Sequence, residues 1–348
     1  MLTKGFKISG PKRFEIYIDN VKVKKDEALI KVDTATICKA DLRYYLGKRD
    51  ERVLGLKYPM NLLHEAIGTI IKDPSGTFNN GDRVVLVPNL IFECDKSSCN
   101  LDICNRKELG ENYCPKAKFA SSSFNGFSRE YLSYPVRNLV KIPSNIENHI
   151  AVLCELISVA CAAIRRVNIR EGYTIAVWGD GILGYILCSV LKVMHDVKII
   201  AIGKHEEKLK QLEVDDIYLV NDKEIYMQNI DMAFECVGGI GSQYAIDEMI
   251  KCIKPGGDIV LTGVSEKKIE IDTRKILEKG ISLKGVTRSN VDDFKKAVEL
   301  FAYEDFVNNI EKLNLGEICI RNIVDFHHVF EKEVNNKKLG KYIMKFAY

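Results

Sequence analysis

A cysteine, a histidine and a glutamate in the first fifth of the chain have the side chains that commonly bind zinc. Cys38 closes an alternating, Thr- and Val-rich segment, and His64 and Glu65 stand directly before an apolar run. Thiolate, imidazole and carboxylate are all zinc ligands, and a catalytic zinc site keeps one coordination position open for substrate. Single cysteines and histidines are more often structural than ligating, so the residue types alone leave both interpretations open.

A glycine-rich motif in the middle of the chain has the chemistry of a phosphate-binding loop. It lies between the apolar run Thr174–Trp178 and a helical segment, with a second apolar run at 197–202. The G-x-G-x-x-G residues are Gly179, Asp180, Gly181, Ile182, Leu183 and Gly184. Such glycines permit a tight turn and a close approach to a pyrophosphate, and the helix N-terminus favours its charge. The motif predicts a dinucleotide site, with an ordinary strand–turn–helix as the alternative.

The end of the second apolar run indicates which dinucleotide is bound. An acidic residue at this position favours the ribose 2′-hydroxyl of NAD, whereas a cation suits the 2′-phosphate of NADP. Here Gly203 leaves room where an acidic side chain would lie, Lys204 follows, and Glu206 is the first carboxylate. Lys208, one helical turn past Lys204, adds a second cation on the same face. The pattern favours NADP(H), unless these lysines are ordinary solvated charges.

Composition excludes several classes of protein. The chain has 348 residues, and 51 Lys and Arg against 48 Asp and Glu give a net charge of only +3. This balance argues against a nucleic-acid partner or a polybasic membrane binder. The 11 cysteines stand in a sequence without a recognisable export signal. We therefore expect reduced thiols, some of them metal ligands, and a cytoplasmic location.

The pattern of elements changes near residue 145. Before it, short strands separated by Gly- and Pro-containing turns predict a small β-barrel. After it, helices and strands alternate as in an open parallel sheet, beginning with a helix predicted over Ile150–Asn168. Ligands bind at the carboxyl ends of such strands, so Val237 and Gly263 are candidates for the nicotinamide side, although ordinary core residues would look similar. The pair His327-His328 is expected at a helix start, without a metal role.

A series of motifs along the whole chain resembles the medium-chain, zinc-dependent alcohol and polyol dehydrogenases. The matching segments are Cys38–Leu42, Leu63–Gly68, Gly81–Val84, Gly126–Tyr131, Glu155–Val159, Lys254–Gly257 and Leu283–Gly285. The resemblance implies an α/β protein with a GroES-like β-barrel catalytic domain and a Rossmann domain with a doubly wound parallel sheet. The implied catalytic domain is discontinuous, residues 1–145 with 288–348, and the implied Rossmann domain is 146–287.

The same resemblance implies a catalytic zinc site. Cys38 and His64 are its implied ligands, Glu65 is a further ligand as in the polyol branch, and Glu155 approaches the metal directly or through water. Cys154 is the alternative to Glu155, because alcohol dehydrogenases use a cysteine in this region. One departure is Ala40, where the family usually has a proton-relay Ser or Thr. The proton then comes from zinc-bound water, from a neighbouring carboxylate such as Glu65 or Glu155, or from the hydroxyls of the substrate, and the choice stays open.

A second cysteine set resembles the family's structural zinc lobe. Its members are Cys94, Cys99, Cys104 and Cys114. Each gap is wider by two residues than in the family, so a closed site of four thiolates and four unligated thiols both remain possible.

Three longer segments, 38–49, 58–65 and 177–185, closely resemble the ribulose-5-phosphate reductases, a branch that uses NADPH. The resemblance implies that the protein reduces D-ribulose 5-phosphate to D-ribitol 5-phosphate, and that the product supplies CDP-ribitol for teichoic acid or capsule. It also implies functional coupling to a cytidylyltransferase and at least a homodimer. The candidate cations for the substrate phosphate are Lys39, Arg43, Lys48, Arg49 and Arg129. Two alternatives are a dehydrogenase of an unphosphorylated sugar alcohol and a non-catalytic, NADP-binding redox sensor that uses the cysteines at 94–114.

Overall fold

The computed structural model describes residues 1–91, 103, 106 and 108–347. The chain divides into two compact units, Met1–Ser158 with Ser289–Tyr348 and Val159–Arg288. The domain limits at 145 and 287 given by the sequence remain a prediction. Within the described residues, no helix combines the length and the apolar character that crossing a membrane requires.

The described part of the chain contains both β-strands and α-helices. The strands are β1 (Leu2–Gly10), β2 (Arg13–Asn20), β3 (Glu27–Thr36), β4 (Met60–Asn61), β5 (Glu65–Lys72), β6 (Arg83–Leu86), β7 (Asn89–Leu90), β8 (Lys118–Phe119), β9 (Tyr131–Pro135), β10 (Leu139–Lys141), β11 (Thr174–Trp178), β12 (Lys198–Gly203), β13 (Asp216–Leu219), β14 (Ile230–Glu235), β15 (Ile253–Leu261), β16 (Ser282–Gly285), β17 (Asn314–Ile320) and β18 (Lys341–Phe346). The α-helices are α1 (Lys39–Tyr45), α2 (Glu51–Lys57), α3 (Asn148–Ala151), α4 (Cys154–Arg165), α5 (Ile182–Met194), α6 (Glu206–Leu209), α7 (Gly241–Cys252), α8 (Thr273–Lys279), α9 (Val291–Glu299), α10 (Glu304–Glu311) and α11 (Ile323–Val334).

The main sheet of the first unit brings distant parts of the sequence together. Its strands run in the order β10-β6-β5-β3-β18-β17, and β9 also pairs with β3. Strand β3 alternates as expected, since Ile30 and Val32 are buried and Lys31 is partly exposed. The antiparallel pairing of β3 with β5 sets Thr36 opposite Glu65, and the pairing with β18 sets Thr36 opposite Ile343. The end of β3 therefore lies between the start of β5 and the C-terminal strand.

Helix α11 closes one side of this unit through an aromatic cluster. Phe326 lies 4.8 Å from both Phe6 and Phe14 between ring centroids, and Phe330 lies 4.9 Å from Phe14. Burying an aromatic side chain of this size contributes about 1.5–3 kcal/mol. Asn322 caps the helix by accepting hydrogen bonds from the next turn, so His327 lies inside the helix. The expectation that the histidine pair starts the helix was wrong, because the cap precedes it by five residues.

The second unit contains a six-stranded sheet in the order β13-β12-β11-β14-β15-β16, with every pair parallel. Strand order reverses between β11 and β14, which is the point where doubly wound sheets bind ligands outside their carboxyl ends. The central strand β11 is buried along Ile175–Trp178, as expected for a strand covered on both faces. The parallel sheet predicted for this half of the chain is therefore present.

Several element limits differ from the sequence predictions. The helix predicted over Ile150–Asn168 is interrupted, because α3 ends at Ala151 and α4 begins at Cys154. This break places Glu155 in the first turn of a new helix. The hairpin of β1 and β2 was not predicted, since β2 exposes most of its residues and lacks an apolar run.

Candidate metal centre and dinucleotide site

Three of the predicted zinc ligands converge in the first unit. One donor atom each from Cys38, His64 and Glu65 lies within 4.8 Å of the other two. Cys38 is the residue before α1, and Glu65 is the first residue of β5, so the sheet register described above sets their separation. His64 is 5% exposed and Glu65 is fully buried. A thiolate, an imidazole and a carboxylate at this spacing form a donor set suited to zinc.

A buried carboxylate orients the histidine. Asp41 Oδ2 lies 3.7 Å from His64 Nδ1, and Asp41 also accepts hydrogen bonds from the amides of Cys38 and Leu63. The Ser121 hydroxyl donates to its other oxygen, Oδ1. A carboxylate on the second ring nitrogen is the usual partner of a metal-binding histidine, because it fixes the ring orientation.

The electrostatics of this pair agree with that arrangement. Burial opposes protonation of His64, but the negative charge of Asp41 and then that of Cys38 raise its pKa well above the ordinary value. Burial likewise raises the pKa of Asp41, but His64 and the hydrogen bonds from Ser121 and Cys38 outweigh it and lower that pKa. The metal-free histidine therefore holds a proton that a metal ion must displace.

Glu65 has one satisfied oxygen and one unsatisfied oxygen. Its Oε2 accepts hydrogen bonds from the Thr36 hydroxyl and from Nζ of Lys341, both of them buried. Its Oε1 is buried without a hydrogen-bond partner in the part of the chain that the structure describes. A buried oxygen anion without a partner is costly, and a cation held by Cys38 and His64 would satisfy it. The residues present therefore fit a divalent metal ion.

Lys341 is the residue of this centre that the sequence analysis missed. It begins β18, is 5% exposed, and forms a buried ion pair with Glu65. The sequence contains 51 Lys and Arg, and neither spacing nor motif distinguishes this one. Only the pairing of β18 with β3 brings it to the metal ligands.

Glu155 belongs to the same electrostatic cluster. Burial is the main cause that raises its pKa, to about 7. The charges of Glu65 and Asp41 act in the same direction as burial, and those of His64 and Lys341 oppose it. Its alternative, Cys154, directs its thiol to the carbonyl of Phe294 at 3.9 Å. Glu155 is not one of the three residues whose donor atoms converge in the described part of the chain, so its place as a fourth ligand stays a prediction. Three of the four cysteines predicted for a structural zinc (94, 99 and 104) lie outside the described residues, and Cys114 is buried.

The glycines of the G-x-G-x-x-G motif meet the steric demands of a dinucleotide loop. Gly179 has φ +131°, and a Cβ there would lie 2.8 Å from the Cys236 carbonyl oxygen. A Cβ on Gly184 would lie 2.0 Å from the carbonyl oxygen of Gly179, so only glycine lets the helix approach the loop. Gly181 is the residue before α5 and has open space around it. Ile182 and Leu183 form the first turn of α5, where unpaired amides favour phosphate.

The end of β12 differs from the expectation in two respects. Lys204 is exposed and precedes α6, which contains Lys208, so the two lysines do not share a helix. The argument that helical spacing places them on one face was therefore wrong. The space beside Gly203 is also not vacant, because Asp180 fills it: a Cβ on Gly203 would lie 2.8 Å from Asp180 Oδ2.

Glu235 fixes the two residues predicted to line the nicotinamide side. Its carboxylate is 1% exposed and accepts hydrogen bonds from the amides of Val237 at 2.9 Å and Gly263 at 2.8 Å. The Gly238 amide and the Ser242 hydroxyl donate to it as well, at 2.9 and 2.8 Å. One buried carboxylate thus joins the ends of β14 and β15.

The cations suggested for a substrate phosphate have different surroundings. Arg129 donates to the Gly126 carbonyl at 3.2 Å, and Arg49 lies 4.4 Å from the ring centroid of Tyr44. Lys39 and Lys48 are exposed. These contacts leave the substrate-phosphate ligands unassigned.

Comparison with known proteins identifies the family. Residues 24–144 match the alcohol dehydrogenase GroES-like domain, and residues 183–303 match the zinc-binding dehydrogenase domain. The chain belongs to the zinc-binding, medium-chain alcohol dehydrogenase family. This confirms the predicted α/β fold with a GroES-like domain and a Rossmann domain.

Comparison with individual relatives indicates a particular branch of this family. The chain is 38% identical to ribulose-5-phosphate reductase 1 of Staphylococcus aureus, with 99% of each chain covered. It is 35% identical to the ribulose-5-phosphate reductase of Streptococcus pneumoniae over 96% of this chain and 95% of that one. The crystal structure of S. aureus TarJ in complex with NADPH superimposes with a TM-score of 0.86 at 34% identity, with both chains covered completely. The predicted resemblance to this branch is confirmed.

Proposed function

We propose that the protein is a zinc-dependent reductase that converts D-ribulose 5-phosphate to D-ribitol 5-phosphate with NADPH. The observation that carries the proposal is the convergence of Cys38, His64 and the unsatisfied Glu65 Oε1. It occurs in a chain that is 38% identical to a ribulose-5-phosphate reductase over almost its whole length. NADPH follows from the NADPH complex of a 34% identical structure and from the loop at Gly179–Gly184.

The residues of the metal centre have distinct tasks. Cys38, His64 and Glu65 would hold the metal, and Glu155 would approach it as a fourth ligand or through water. A zinc ion held there would supply Lewis-acid chemistry toward the substrate carbonyl. Asp41 keeps the His64 ring in its ligating orientation from the Nδ1 side. Lys341 neutralises Oε2 of Glu65 and leaves Oε1 available.

The proton required by the reduction has a candidate source on this chain. Ala40 cannot relay it, because its side chain has no hydroxyl. Glu155 is this source where it approaches the metal through water rather than as a ligand, because burial raises the pKa of its carboxyl group to about 7. NADPH supplies the hydride, and Val237 and Gly263, fixed by Glu235, line its nicotinamide side.

Steady-state assays with purified, metal-analysed protein test the proposal. We expect turnover with D-ribulose 5-phosphate and NADPH, about one zinc per catalytic site, and weak or no turnover of sorbitol or xylitol with NAD⁺. If the protein prefers the unphosphorylated polyol, the alternative of a dehydrogenase that acts on an unphosphorylated sugar alcohol would be favoured over the proposal. Cofactor binding without zinc at Cys38 and without turnover would favour the redox sensor.

A cysteine variant separates the metal-dependent enzyme from that sensor. Cys38→Ser removes a thiolate ligand, so zinc content and activity are expected to fall together, activity by about 100- to 1,000-fold. Cys319→Ser is the matched control, because Cys319 is exposed and lies outside the metal centre.

We place the product in a cytoplasmic route to CDP-ribitol, coupled to a cytidylyltransferase, and expect a homodimer or larger homo-oligomer.

A further inference from the structure

Asp180, the residue between the first two glycines of the G-x-G-x-x-G motif, binds the turn that follows β12. Its Oδ2 accepts hydrogen bonds from the backbone amides of Lys204 and His205, each at 2.7 Å. The same oxygen lies 2.9 Å from Nδ1 of the His205 ring. Three donors from two consecutive residues thus converge on one carboxylate oxygen that belongs to the glycine-rich loop.

This contact requires the glycine at position 203. A Cβ on Gly203 would lie 2.7 Å from Asp180 Cβ and 2.8 Å from Asp180 Oδ2, closer than such atoms can approach. The carboxylate of Asp180 therefore occupies the volume that an acidic side chain at the end of β12 would otherwise fill. The chain has a carboxylate at this strand end after all, but it comes from the neighbouring loop.

The negatively charged carboxylate of Asp180 faces the turn that follows β12. Burial raises the pKa of Asp180, but the hydrogen bonds from His205 and Lys204 outweigh burial and lower it, so the group stays ionised at neutral pH. The Asp180 side chain is 17% exposed, whereas His205 is 51% exposed and Lys204 is exposed. The anion is thus largely covered, and a lysine and an imidazole are held at the surface directly beside it.

We infer that Asp180 is a positioning residue that determines cofactor choice, because it fixes Lys204 and His205 as the binding site for a 2′-phosphate. The inference rests on the proposed use of NADP(H) and assigns its selectivity to a different set of residues than the two lysines considered from the sequence. Lys208 is not needed for it. A hydrogen bond to an ionised group is stronger than a neutral one, so the three contacts with Asp180 can hold the turn in place.

A carboxylate at this strand end has one competing role. In NAD-binding proteins it accepts a hydrogen bond from the ribose 2′-hydroxyl. The two roles make opposite predictions. A positioning residue for the 2′-phosphate affects only ligands that carry a 2′-phosphate, whereas an acceptor for the 2′-hydroxyl affects ADP and NADH.

Calorimetric binding of adenosine 2′,5′-bisphosphate and of ADP to the zinc-loaded protein separates these roles. For Asp180→Ala we expect affinity for the bisphosphate to fall about tenfold and affinity for ADP to stay within about twofold. Asp180→Asn keeps an oxygen acceptor for the two amides and is expected to restore most of the loss. Lys210→Ala is the control, because Lys210 is an exposed cation paired with Glu206 rather than with Asp180.

A second variant guards against a folding defect. Gly203→Ala leaves Asp180 in the sequence but displaces its carboxylate, so the same selective loss is expected, with the unfolding temperature measured for every variant. Unchanged selectivity in both Asp180→Ala and Gly203→Ala overturns the inference, as does a loss of ADP affinity equal to that of the bisphosphate. A wild-type protein that binds both ligands equally overturns the proposed NADPH dependence as well.

Discussion

Lys341 and Glu65, separated by 276 residues, form a buried ion pair at the edge of the metal centre. The pair engages only Oε2 of the carboxylate, and Oε1 has no hydrogen-bond partner in the described part of the chain. Lys341 therefore compensates the negative charge of Glu65 through Oε2 and leaves Oε1 available. This division explains how a buried carboxylate can form an ion pair and still be available to a metal.

Replacing the lysine is expected to destabilise the metal-free protein. Lys341→Met leaves the charge of Glu65 buried and uncompensated, so we expect the free energy of unfolding to fall by about 3–5 kcal/mol. Zinc binding should recover part of this loss, because the ion supplies the missing positive charge. Chemical denaturation with and without zinc measures both quantities.

The matched control for this prediction lies on the same strand. Lys345 pairs with Glu317 at 2.7 Å but is 53% exposed, so Lys345→Met should change stability by no more than about 1 kcal/mol. Equal effects of the two substitutions would show that burial does not strengthen the Lys341–Glu65 pair.

The comparison of sequence and structure separates two kinds of information. The glycine-rich loop was predictable because Gly179 and Gly184 are required locally, by a positive φ and by a close approach within six residues. Lys341 was not predictable, because its role depends on the pairing of the C-terminal strand with β3. Asp180 was overlooked for a related reason. The lack of a side chain on Gly203 suggests free space at the end of β12, and only the fold shows that the Asp180 side chain fills it.

Substitution of Asp41 should weaken metal binding without removing a ligand. In Asp41→Asn the His64 ring loses the carboxylate near Nδ1, so zinc affinity is expected to fall about 10- to 100-fold. Competition with a chromogenic chelator measures the affinity. Asp33→Asn is the control, because Asp33 is a partly buried aspartate on β3 that accepts a hydrogen bond from Thr69 rather than orienting His64. Unchanged affinity in Asp41→Asn would exclude an orienting role for this carboxylate.

Zinc affinity should fall as the pH decreases through about 7. In the metal-free protein, burial raises the pKa of Glu155 to about 7, and Asp41 and Cys38 raise the pKa of His64 well above its ordinary value. Both groups must lose protons to bind a metal, so binding releases protons and becomes weaker where the protonated forms dominate. Calorimetry in buffers of different ionisation enthalpy counts the protons released.

A variant without the carboxyl group identifies the contribution of Glu155 to the proton release that accompanies zinc binding. In Glu155→Gln the side chain cannot ionise, so the number of protons released near neutral pH should decrease and the pH dependence should become shallower. Glu147→Gln, at an exposed position before α3, should behave like the wild type. The same proton release in Glu155→Gln as in the wild type would remove Glu155 from the set of candidate ligands.

Glu235 should control binding of the nicotinamide half of the cofactor. Glu235→Ala leaves the Val237 amide and the Ser242 hydroxyl without their acceptor. The Gly263 amide keeps only the Glu235 backbone carbonyl, at 3.2 Å, so the ends of β14 and β15 lose their side-chain link. Affinity for NADPH is expected to fall about tenfold, whereas adenosine 2′,5′-bisphosphate, which lacks the nicotinamide, should bind as before.

Asp231 supplies the matched control at the opposite end of the same strand. It accepts hydrogen bonds from the Thr174 amide at 2.9 Å and from Lys254 at 2.7 Å, so Asp231→Asn disturbs β14 without disturbing its carboxyl end. We expect Asp231→Asn to bind NADPH normally and Ser242→Ala to show a smaller loss than Glu235→Ala, because three donors to the carboxylate remain. If Glu235→Ala weakened both ligands equally, the carboxylate would act on the whole unit rather than on the nicotinamide side, since a general loosening of the sheet cannot discriminate between two halves of one ligand.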